Sequence, residues 1–311
     1  MRYDAAKLLP PCLVPIFMAL VVIDTADAQR SLLSPGGVSP KTLRVQEVDR
    51  EYLLALPKNL HPARRTDQAD SLPPSNTNGD NSVHPIVFVW HGHGGGMRHS
   101  ARTFRIHELW PEAIVVYPQG LPTPGMTDPA GKKSGWQKFD GDQDNRDLLF
   151  FDALLADLTQ SYAVDRMRLF SMGHSNGAAF TYLLAMARPG VLAAIAPSAA
   201  PARGVRAGLF AGDPLAKIPP LPVMHIVGKD DKVVPRSWQI PTIDAFRKKN
   251  ECSSDSKPWE SGCVIYESKV DAPVVVMEHS GGHTYPQEAN AKIVQFFKQH
   301  SRTDRVKQPP P

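Results

Sequence analysis

The chain has 311 residues, with 35 Lys and Arg against 31 Asp and Glu, a formal net charge of +4. Hydrophobic residues make up 42% and charged residues 21%, ordinary globular usage. This excludes a disordered, collagen-like or coiled-coil protein, and the absence of a long basic run leaves no electrostatic case for nucleic-acid binding. The 30 prolines point to many loops rather than long helices.

Residues 1–28 read as an export signal. Arg2 and Lys7 supply a positive start, residues 8–23 are largely apolar, and Ala26-Asp27-Ala28 is a small-x-small cleavage site. Pro10, Pro11 and Pro15 interrupt the run, and it falls short of the roughly 20 apolar residues of a spanning helix. The cleaved chain is therefore expected to be soluble, and secreted or periplasmic. Cys12 lies in the signal, so Cys252 and Cys263 remain, and an even count in an exported chain predicts a disulfide stapling a polar surface loop.

After a leader at 31–40, residues 43–56 predict one or two strands, and 58–84 a long loop rich in Pro, Asn, Asp and Ser. Residues 29–84 are thus expected to form the N-terminal strands and loop of a domain whose core is 85–301, with 302–311 a frayed tail. Within the core, six short apolar runs follow, at 86–90, 113–117, 168–172, 193–196, 223–227 and 273–277. Apolar residues on both faces suit strands buried between helix layers. Helical spacing falls between them, at 148–158, 176–186, 240–246 and 293–297. Alternating strands and helices predict an α/β fold, a mostly parallel central sheet with helices on both faces.

The chemistry concentrates in Gly173-His174-Ser175-Asn176-Gly177. This G-x-S-x-G follows an apolar strand and precedes a small-residue helix, the setting of a nucleophile elbow. A serine hydroxyl needs a base within hydrogen-bond reach, and the base needs an orienting acid. Asp230 and Asp231 both lie on the loop after the fifth strand, and spacing does not choose between them. His283, flanked by Gly281 and Gly282, follows the last strand. An acyl-transfer site must also hold an oxyanion. The main-chain N–H of Asn176 is one expected donor, and that of His93, in the glycine-rich loop after the first core strand, is the second.

His91-x-His93 also admits a metal reading, but no H-x-H-x-D-H or H-E-x-x-H pattern accompanies it. No metal and no cofactor are expected. Trp136, on a polar segment, and Trp238, past the acid loop, are the expected substrate contacts. Trp90 reads as core, Asp147 as a helix cap, and Asp140, Asp142 and Asp144 as a solvated acidic loop.

These motifs together resemble the secreted feruloyl esterase, acetyl-xylan esterase and polyhydroxybutyrate depolymerase group of α/β-hydrolases. The matching pieces are residues 50–57, 85–96, 117–120, 135–136, 147–158, 164–165, 168–170, 173–177, 228–235 and 282–286. The resemblance implies the α/β-hydrolase fold and a serine esterase acting through a Ser-His-Asp triad and an acyl-enzyme. It implies ester substrates, small or polymer-linked: feruloyl or acetyl esters of plant polysaccharide, or polyhydroxybutyrate-type polyesters. The group carries its acid in a G-x-x-D-x-x-V-P stretch, which assigns the role to Asp231 rather than Asp230. Departures are Tyr285, where relatives often carry Trp, His93, where many carry a small residue or Cys, and the longer loop at 58–84. A serine peptidase of the same fold and a non-catalytic binding module are the alternatives. Oligomeric state is not legible.

Overall fold

A computed structural model describes residues 37–60, 83–203 and 215–302. The export signal, most of the loop at 58–84 and nearly all of the C-terminal tail lie outside the described residues.

The predicted N-terminal strands are a hairpin, β1 (Val38–Val45) paired antiparallel with β2 (Val48–Ala55), turning through Gln46 and Glu47, both at positive φ. The six apolar runs become β3 (His84–Trp90), β4 (Ile114–Pro118), β7 (Val164–His174), β8 (Ala194–Ser198), β9 (Val223–Gly228) and β12 (Val274–His279). Two-residue strands β5 (Leu121–Pro122) and β6 (Ser134–Gly135) form a separate ribbon. The edge is completed by β10 (Lys257–Pro258) and β11 (Cys263–Tyr266).

The main sheet runs β1-β2-β4-β3-β7-β8-β9-β12-β11-β10. Its middle, from β4 to β12, is parallel throughout, and the outer strands on each side are antiparallel. The expected mostly parallel sheet is thus present.

Strand alternation sends successive side chains to opposite faces. On β3, Ile86, Phe88 and Trp90 join one core with α3 (Arg146–Ser161), α4 (Asn176–Ala187) and α5 (Arg236–Lys249). Val87 and Val89 join the other, with α1 (Met97–Phe104), α2 (Ile106–Leu109) and α6 (Ala289–Lys298). All seven residues of β3 are buried, which is why it reads as a continuous apolar run. The helices predicted at 148–158, 176–186, 240–246 and 293–297 correspond to α3 to α6, while α1, which buries Met97, Ala101 and Phe104 along one face, and the four-residue α2 are additional.

The predicted disulfide is corrected. Cys252 and Cys263 are free thiols. Cys252 packs against the α3–α5 side of the sheet, whereas Cys263 belongs to the core on the other side. Their Sγ atoms turn to separate carbonyls, Ala272 and Ser261. A sheet between two side chains prevents the close Cβ approach that a bridge requires.

Candidate active site

The parallel strands all end on one rim of the sheet, and β3, β7, β9 and β12 each hand over to a loop there. Ser175 sits between β7 and α4 at φ 55° and ψ −118°, a strained conformation typical of a nucleophile elbow. Its flanking glycines are sterically required. A Cβ on Gly177 would lie 2.2 Å from the Trp90 carbonyl oxygen, and one on Gly173 would lie 2.6 Å from the Gly177 main chain.

The acid and histidine loops meet through another glycine. A Cβ on Gly228 would lie 2.4 Å from the Gly282 oxygen, and the Lys229 N–H donates to His279 O at 2.9 Å. This contact brings Asp231 and His283, 52 apart in sequence, together. His283 Nδ1 lies 2.8 Å from Asp231 Oδ2, and its Nε2 lies 2.8 Å from Ser175 Oγ. The other oxygen of Asp231 accepts the N–H groups of Val233 and Val234, at 2.9 and 2.8 Å. Asp230, by contrast, is exposed.

The expected oxyanion residues flank the serine. Among the described residues, the main-chain N–H groups of His93 and Asn176 have no acceptor, whereas Gly94 and Gly95 spend theirs on Ser134 O and Gly92 O. The His93 ring is wedged between Gly125 and Gly135 and faces Asp128, with Nε2 3.4 Å from Oδ2. The N–H of Lys133, foremost, holds the Asp128 carboxyl below its usual range. His91 Nδ1 pairs with Gly92 O, and its Nε2 accepts the Gly120 N–H. Both ring nitrogens are thereby engaged inside the fold, and burial lowers the pKa of His91 to about 4.

Trp136 is corrected as a substrate contact. It is fully buried, between Trp90, Phe180 and His91. Its Nε1 donates to His91 O at 2.8 Å, its main-chain N–H donates to Asn176 Oδ1 at 2.7 Å, and its carbonyl accepts from Asn176 Nδ2. It therefore ties the glycine-rich loop to the first residue of α4 from behind. Asp147 is corrected as well. It caps nothing, and lies fully buried between the Arg50 guanidinium at 2.8 Å and the Gln137 N–H. Trp238 does line a cavity at the serine.

Other contributors have no role that the sequence motifs assign. Gln119 Oε1 accepts the Met97 N–H at the start of α1. Behind the acid loop, Tyr182, His225 and Gln239 form a fully buried chain. Gln239 Nε2 donates to Val234 O at 2.7 Å, so its Oε1 must accept from His225 Nε2 at 2.9 Å, and Tyr182 donates to His225 Nδ1 at 2.6 Å. His225 is one polar residue in an apolar strand and Gln239 one of several polar residues on α5, patterns without local information. His174, inside the motif, has its ring 5.1 Å from that of His283, with Nδ1 against Ser198 Oγ. Burial first, and the neighbouring imidazole second, lower its pKa to about 4.

Two cavities open on Ser175, one of about 490 Å³ and one of about 400 Å³. A serine, an imidazole, a buried carboxylate and two free amides at one rim are the parts needed for acyl transfer.

No family model matches the chain. It is similar to a probable feruloyl esterase C of Aspergillus oryzae, 25% identical over 277 residues that span 86% of this chain and 90% of that protein. It is likewise similar to feruloyl esterase C of Emericella nidulans, 25% identical over 266 residues, 80% of this chain and 83% of that protein. Among solved structures, an acetyl xylan esterase from Aspergillus awamori shares the fold at a TM-score of 0.58 and 13% identity, over 84% of this chain and 99% of that one. A ferulic acid esterase shares it at 0.56 and 15% identity, over 84% and 97%.

Proposed function

We propose that this chain, an α/β-hydrolase of the esterase group and a carboxylic ester hydrolase, cleaves its substrate through an acyl-serine formed on Ser175. The observation that carries this reading is the continuous contact from Asp231 through His283 to Ser175, 2.8 Å at each step.

Ser175 Oγ attacks the ester carbonyl carbon while His283 Nε2 takes the hydroxyl proton. The tetrahedral oxyanion is held by the N–H groups of His93 and Asn176. As the carbon–oxygen bond to the alcohol breaks, His283 returns the proton to the leaving oxygen. Water, deprotonated by the same imidazole, then attacks the acyl carbon, and as the bond to Ser175 Oγ breaks His283 returns the proton to that oxygen and the acid is released. Asp231 holds Nδ1 protonated and stabilises the imidazolium. No residue in this sequence of steps needs a cofactor.

The substrates proposed are esters of the kind named for the relatives, feruloyl or acetyl esters of plant polysaccharide, or a polyester of hydroxybutyrate type. Residues 1–28 are proposed to export the chain to the periplasm or the outside. Among the described residues no helix is long and apolar enough to cross a membrane.

The test is Ser175→Ala with a p-nitrophenyl ester. The expected result is a fall in kcat of about 10⁵-fold or more, with loss of fluorophosphonate labelling. Hydrolysis at the wild-type rate overturns the reading.

A further inference from the structure

The two cavities at Ser175 differ in a way that orients the ester. The larger one is lined by His283 together with Gly92, Gly94, Gly95, His99 and His174. The smaller one is lined by Asn176 but not by His283. In the mechanism above, which this inference rests on, the alcohol oxygen must lie beside His283 Nε2 to be protonated as it leaves. The carbonyl oxygen must lie at the His93 and Asn176 amides. These requirements point the alcohol into the first cavity and the acyl chain into the second.

The walls of the second cavity match an apolar occupant. Of the six large hydrophobic side chains exposed among the described residues, three line it: Met126, Phe139 and Val233. Trp238 adds an aromatic wall, and the small side chains of Ala179 and Ala200 leave its space open. Among the described residues its charged lining groups are Lys138 and Arg203, and no carboxylate lines it. A volume of about 400 Å³ falls in the usual range for a small-molecule site and far exceeds what an acetyl group fills. The first cavity is a more open strip of glycine main chain and imidazoles, a surface that holds a polar alcohol without selecting its shape.

We infer that the enzyme selects its substrate on the acid side: it prefers esters of acids with an apolar body larger than acetyl, tolerates varied alcohols, and uses Ala179 and Ala200 as the floor that sets acyl size.

The experiment compares kcat/KM for p-nitrophenyl acetate, butyrate and hexanoate, and separately for methyl, butyl and glyceryl hexanoate followed by acid release. The expected rise is up to about fourfold per added methylene, the burial of one CH₂, with the three alcohols within about threefold of one another. In Ala179→Leu and Ala200→Leu the hexanoate-to-acetate ratio should fall at least tenfold. A wild-type preference for acetate, discrimination among alcohols exceeding that among acids, or an unchanged ratio in both variants with wild-type melting would overturn the inference. If neither variant folds, Trp238→Ala decides: a shifted ratio supports the assignment and an unchanged one refutes it. Ser175→Ala run alongside separates the two levels, since activity surviving there defeats the mechanism itself rather than the placement of the acyl chain.

Discussion

Trp136 Nε1 and the His91 carbonyl, 2.8 Å apart, join two loops that sequence separates by 45 residues. Through its main chain, the same tryptophan grips both polar atoms of the Asn176 side chain. One buried residue thus sets the spacing between the two amides proposed to hold the oxyanion. Trp136→Phe should lower kcat about tenfold with little change in KM, because the lost rigidity acts where charge develops. It should also cost about 2–4 kcal/mol of stability. Equal effects on kcat and KM, or neither, would contradict a bracing role.

The choice between adjacent aspartates is directly testable. Asp231→Asn should lower kcat by about 10⁴-fold, because the amide no longer holds the protonated Nδ1 tautomer. Asp230→Asn, at an exposed position, should stay near the wild-type rate. The reverse pattern would move the acid to Asp230.

Gly177→Ala places a methyl group 2.2 Å from a main-chain oxygen. Neither β3 nor α4 can yield without opening the core, so the variant should lose more than about 3 kcal/mol and any activity that remains. Chemical denaturation of purified protein measures it, and a wild-type midpoint would show that the elbow has room that the geometry denies.

The chain from Tyr182 to Val234 gives a pH-dependent prediction. Burial lowers the pKa of His225 from 6.5 to about 4. Between those values the unfolded chain binds a proton that the folded one refuses, so stability is lost as pH falls from about 6.5 towards 4. For His225 alone the loss reaches about 3 kcal/mol. His91, His174 and His300, also lowered to about 4, act in the same direction. Urea midpoints at pH 7.5 and 4.5 test the sign, and a flat profile would mean that these imidazoles are hydrated. Gln239→Leu strands a buried donor and a buried acceptor and should cost about 2–4 kcal/mol. It should also lower kcat, because Val234 presents its N–H to Asp231.

Cys252 and Cys263 should both react with a thiol reagent in the denatured, unreduced chain. Modification of neither would indicate a bridge and a rearranged sheet edge.

Much of this architecture is legible in one sequence because it rests on local rules. A strand stretch covered on both faces is apolar at nearly every position, so β3, β4 and the buried stretches of β7, β9 and β12 announce themselves. The tight turn at Ser175 admits only small neighbours two positions away, so Gly173 and Gly177 mark it. The polar supports are not legible. Arg50 with Asp147, His225 with Gln239 and Gln119 beneath the glycine-rich loop join distant elements through single side chains, and no spacing records such pairs.

The sequence by itself determined the order of strands and helices, the strained serine and the candidates for base and acid, since each follows from short-range sterics and periodic burial. Spacing left the acid open between two aspartates and the family resemblance pointed to Asp231, the carboxylate that faces the imidazole; only the tertiary structure decided that Trp136 is a buried brace, that two cysteines lie on opposite sides of a sheet, and that two unlike cavities meet at Ser175. Those outcomes depend on where side chains point after elements pack. Packing is a property of the whole assembly of layers, and no segment of the chain contains it alone.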